Sequence, residues 1–81
     1  MSTFEIYVPR EHANGTFIVG FEWEQVLRTV REMVESVEGQ VVQLKSSYNI
    51  GRYLMITVDD ELEHDLQRDI AQVLKTFGVK T

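Results

Sequence analysis

Between Asp59 and Asp65 the chain reads DDELEHD, its densest charge cluster, and this run includes one of only two histidines. Carboxylates packed this closely can ligate a cation or imitate a nucleic-acid backbone. The spacing argues against calcium, because a calcium loop alternates oxygen ligands around a central glycine and no glycine lies here. It also argues against the zinc pattern HExxH, since the position four residues after His64 is Arg68. A structural reading accounts for the run more simply. Asp59 is an N-cap, and Asp60 and Glu61 stand in the first helical turn, where negative charge stabilises by about 0.3–1 kcal/mol each. Glu63 and Asp65 then fall on a solvated face.

The second histidine, His12, sits in the polar stretch Arg10-Glu11-His12-Ala13-Asn14-Gly15. A loop His–Arg–Glu group can move protons, but here it has no nucleophile and no second orienting motif beside it. Small-ligand or metal binding near residues 9–15 is therefore a secondary expectation. Ser46-Ser47 read as strand residues rather than nucleophiles. Trp23 reads as a packing anchor in the first turn of a core-facing helix. The five glycines, Gly15, Gly20, Gly39, Gly51 and Gly78, read as turns, bulges or caps and form no phosphate cradle. No catalytic residue, metal site or cofactor is expected, and the protein is read as not an enzyme.

These residues must be positioned by a small scaffold. Eighty-one residues are expected to form a single α+β domain over 1–81. A chain of this size buries only about 60% of its unfolded surface. There is no cysteine, so no disulfide or thiolate metal site can staple the fold, and dimerisation is one way to gain buried area. The formal charge of −5 opposes binding to duplex DNA or a membrane surface. The apolar runs are too short to span a membrane. Met1-Ser2-Thr3-Phe4-Glu5 lacks a basic start and an apolar stretch, so the expected location is cytoplasmic.

Thr3–Val8 alternates, with Phe4, Ile6 and Val8 on one side and Glu5 and Tyr7 on the other, and reads as a strand that Pro9 ends. In Thr16–Phe21, Phe17, Val19 and Phe21 alternate, which favours a second strand, although a lead-in to the following helix is the alternative. Glu22–Glu38 is an amphipathic helix carrying Trp23, Val26, Leu27, Val30, Met33, Val34 and Val37 inward, with Gly39 as a left-handed stop. A second helix begins after Asp59 and carries Leu62, Leu66, Ile70, Val73, Leu74 and Phe77 inward to Gly78.

Between the helices, Gln40–Val58 reads as a hairpin. A three-residue loop at Asn49-Ile50-Gly51, with Gly51 in the left-handed bulge position, pairs Val42 with Val58, Leu44 with Ile56 and Ser46 with Leu54 on the core side. Two helices on one face of a mainly antiparallel sheet then give a two-layer sandwich. The element order is ββαββα or, without the second strand, βαββα, an incomplete ferredoxin-like layout.

In that register the face away from the helices presents Tyr7, Val41, Gln43, Lys45, Tyr53, Met55 and Thr57, with Arg52 nearby and Ile18 a further candidate. Such a mixture is too apolar for an idle solvated surface and marks a contact surface. Residues 39–58 contain Lys45 and Arg52 and no acidic residue. The leading expectation is a non-enzymatic interaction or regulatory module that docks this face on a second copy of itself, as a homodimer, or on another protein. The alternative is single-stranded nucleic acid, with Tyr7 and Tyr53 stacking on bases and Lys45 and Arg52 meeting phosphates. Two cations are few for that task, so nucleic acid is the less favoured partner.

Overall fold

A computed structural model of the chain describes residues 1–45 and 51–80. The elements are β1 (Ser2–Pro9), α1 (Gly20–Ser36), β2 (Gln40–Lys45), β3 (Gly51–Val58) and α2 (Asp60–Thr76). The three strands form one antiparallel sheet in the order β1-β3-β2. This is the βαββα, incomplete ferredoxin-like arrangement, an α+β fold with both helices against one side of the sheet. The smallest dimension is 18 Å, which accommodates one sheet and one layer of helices. Neither helix is long and apolar enough to cross a membrane.

The core forms where the two periodicities meet. Val8, Leu54, Ile56 and Val58 point from the strands at Trp23, Val26, Val30 and Val34 of α1 and at Leu66, Ile70 and Leu74 of α2. Phe4, Ile6, Val41 and Phe77 pack around its edge. No polar or charged residue is buried among the described residues. Both helical stripes match the spacing read from the sequence, and α1 starts two residues earlier than expected, at Gly20. Asp59 occupies the N-cap of α2 but makes no side-chain cap bond. Asp60 instead accepts a hydrogen bond from the Ser2 hydroxyl at 2.6 Å and lies 3.4 Å from the N-terminal ammonium. Those two donors hold its carboxyl below the ordinary aspartate range.

Thr16–Phe21 is not a strand. The chain folds back through isolated bridges, Glu11 to Phe17 and His12 to Val79, and enters α1 at once. Arg10 Nε donates to the Ile18 carbonyl at 2.9 Å, closing the turn from inside. The alternation therefore runs opposite to its core reading: Ile18 is fully buried, while Phe17, Val19 and Phe21 are exposed. Ile18 accordingly takes no part in the open sheet face.

The β2–β3 register also differs from expectation. Val41 pairs with Ile56, Val42 with Met55, Gln43 with Leu54, Leu44 with Tyr53 and Lys45 with Arg52. The offset from the expected pairing is odd, so every β2 position changes sides. The connection from α1 also differs from expectation. Glu38 takes the left-handed conformation at φ 60° that was expected of Gly39. Gly39 instead passes so close to the core that a Cβ there would stand 2.6 Å from Val58 Cγ1 and 2.8 Å from Val34 Cγ1. The expected loop at Asn49-Ile50-Gly51 lies outside the described residues except for Gly51, which belongs to β3 and pairs with Pro9.

The left-handed Glu38 leads to a stability prediction. Glu38→Gly removes the Cβ clash at positive φ and should stabilise the protein by about 0.5–1 kcal/mol in urea denaturation. A decrease in stability would show that the glutamate side chain outweighs its backbone strain.

Candidate functional site

The surface opposite the helices is a grid of three short rows across β1, β3 and β2. Thr3, Thr57 and Gln40 form the first row, Glu5, Met55 and Val42 the second, and Tyr7 and Tyr53 the third, with Leu44 at the register position beside Tyr53. Each row follows from antiparallel pairing, because residues directly opposite one another point to the same side. Tyr7 is 40%, Tyr53 41%, Met55 38% and Val42 56% exposed, so the described residues leave each of them partly open.

The rows are internally ordered. The Tyr7 and Tyr53 rings lie 4.7 Å apart, tilted by 43°. The Thr3 and Thr57 hydroxyls share a hydrogen bond at 3.0 Å. Gly51 seats the tyrosine pair, since a Cβ there would stand 2.6 Å from Tyr7 Oη and 2.6 Å from the Val8 carbonyl. The glycine is needed because an aromatic ring leans across it, and not because a loop turns there. Among the described residues the face carries one charged side chain, Glu5 on the edge strand.

Tyr7, Tyr53 and Met55 thus stand together as expected, and Val42 joins them. Val41, Gln43, Lys45 and Arg52 do not. The observed register places Val41 against the core and puts the other three positions on the helix side of the strands. Sequence reasoning missed Val42 and misassigned Gly51. The hydrophobic pattern gave no signal for Val42, because it favoured Leu44 over Gln43 and the Lys45 position on the helix side, opposite to the observed register.

The histidines occupy other surfaces. His12 Nε2 is 3.5 Å from Glu22 Oε2, and its backbone N–H donates to Thr16 at 2.7 Å. The loop around it is tied to the chain's end by Ala13 donating to Gly78 at 2.9 Å and Lys80 donating to Glu11 at 2.8 Å. His64 is exposed on α2. Among the described residues, no three His, Cys, Asp or Glu side chains stand close enough to hold a metal ion. Comparison of the chain with family models, curated proteins and solved structures gives no match.

Proposed function

We propose that the protein is a non-enzymatic, cytoplasmic interaction module that self-associates through its open sheet face. The observation carrying this reading is the cluster of Tyr7, Tyr53, Met55 and Val42 on the sheet face that the described residues leave partly open. Rigid aromatic and methionine side chains at the centre of a patch are what protein contact surfaces favour.

A second copy is the partner that the charge distribution favours. With two sheets packed face to face about 10 Å apart, the helices of each copy lie on the outside. The carboxylates of α1 and α2 then remain in water and far from those of the other copy, which matters for a chain of charge −5. Three strands spaced about 4.8 Å apart, two of eight residues and one of six, give a footprint of only about 350 Å² per copy. Standard interfaces bury about 800 Å² per partner, so a reversible dimer is expected rather than an obligate one.

The single-strand nucleic-acid reading is the less favoured one. It needs stacking rings and cations on one face, and the register puts Arg52 and the Lys45 position on the other.

Sedimentation equilibrium from about 10 to 500 μM tests the proposal over the range expected of reversible dimers. The mean mass should climb toward that of two chains, and Tyr53→Glu should hold it at one while leaving the circular dichroism unchanged. A wild-type monomer throughout, or a Tyr53→Glu variant that associates equally well, contradicts it.

A further inference from the structure

On the helix side of the sheet, away from the tyrosine face, lies a cleft of about 610 Å³ between α1, the end of β1 and the paired strands β2 and β3. Arg10, Arg28, Arg31 and Arg52 all line it, with Gln43, Trp23 and one carboxylate, Glu24. The chain has eight Lys and Arg residues in total, so half of the cations of an acidic protein face one cleft.

Like charges converge in this way at a cost unless something of opposite sign is present. Among the described residues, no carboxylate lies within 4 Å of Arg10, Arg28 or Arg31; the ion pairs involve other groups. Arg10 is nevertheless held in place. Its Nε donates to the Ile18 carbonyl, and its guanidinium stacks 4.4 Å from the Phe17 ring centroid and 5.6 Å from that of Trp23. A guanidinium fixed by stacking and one hydrogen bond keeps its outer N–H groups oriented for a planar or tetrahedral oxyanion.

Trp23 supplies a separate observation. It is 4% exposed, and its indole Nε1 is a buried donor with no partner among the described residues. Buried donors nearly always have acceptors, so an orphan in a cleft wall calls for an explanation.

We infer that this cleft binds a small phosphate-bearing anion. Four guanidiniums against one carboxylate favour a multiply charged oxyanion over a monocarboxylate. The cleft is much larger than an inorganic phosphate and lies within the range of small-molecule sites, so it has room for a ligand of mononucleotide size. An oxyanion supplies opposite charge beside Arg10, Arg28 and Arg31, which have no carboxylate partner among the described residues.

Trp23 is the chain's one tryptophan, so its fluorescence reports from the cleft wall. The wild-type protein is titrated with inorganic pyrophosphate and, separately, with adenosine 5′-monophosphate, at low and high salt. A saturable change in emission is expected, with apparent affinity falling as salt rises. The exposed pair Arg28→Gln and Arg31→Gln, combined, should weaken binding about tenfold or more, since charge-assisted hydrogen bonds dominate such sites. Circular dichroism should be unaltered in this variant. Tighter binding of the nucleotide identifies an organic phosphate, and equal or tighter binding of pyrophosphate identifies the phosphate groups alone; both support the inference. No saturable change with either probe at about 10 mM, a weak limit in affinity terms, overturns it. So does binding that the double variant retains in full.

Discussion

Ile56→Ala should lower the stability of the protein by about 2–5 kcal/mol, the range for deleting a large buried aliphatic group. Ile56 is fully buried in the central strand, with Phe4 on one side and Val41 on the other. Its neighbours are held by both adjacent strands, so they cannot collapse into the space it leaves. A domain of this length has a total stability of only about 4–12 kcal/mol, so the variant should sit near the edge of folding. Urea denaturation measures the difference. A loss below about 1 kcal/mol would mean that the site is not enclosed core.

Gly51→Val should be comparably damaging, by about 3 kcal/mol or more, at or beyond the upper end of overpacking costs. The first added carbon alone would stand 2.6 Å from the Val8 carbonyl, which is backbone in a paired strand and cannot swing aside. It would also stand 2.6 Å from Tyr7 Oη and displace that ring from Tyr53. The substitution therefore acts twice, once on the β1–β3 ladder and once on the surface proposed to dock. Gly51→Ala separates the two effects: if it folds, it should still perturb the tyrosine pair. A Gly51→Val variant as stable as the wild type would contradict the close approach.

Much of the scaffold could be read from residue spacing. The helical stripes around Val26, Val30 and Val34 and around Leu66, Ile70 and Leu74 follow from a 3.6-residue period, and alternation from Phe4 to Val8 marks β1. Where the reading failed, a local pattern was overruled by a contact distant in sequence. Phe17, Val19 and Phe21 alternate like a strand, yet Arg10 grips the Ile18 carbonyl and turns that segment outward. The hairpin loop was expected to set the β2 register, and the observed pairing differs from that expectation by an odd number of residues. The hydrophobic pattern of β2, with Leu44 on one side and Gln43 and Lys45 on the other, favoured the side opposite to the one observed.

The open face was partly legible for the same reason. Tyr7, Tyr53 and Met55 belong to strands whose parity is unambiguous, while Val41, Gln43 and Lys45 belong to the one whose parity is not. The arginine cleft left almost no trace in the sequence. Arg10, Arg28, Arg31 and Arg52 come from two elements and the turn after β1, and only folding brings them to one cleft. The lack of acidic residues across 39–58 was a hint of it, but the wrong face was assigned to Arg52.

Isotope-filtered nuclear Overhauser spectroscopy on a mixture of labelled and unlabelled chains, at a concentration where dimer is populated, asks most directly which surface meets the second copy. Contacts passing between chains should come from the rings of Tyr7 and Tyr53 and the methyl groups of Met55 and Val42. Their absence, or their appearance at Phe17, Val19 and Phe21 instead, would contradict docking through the sheet.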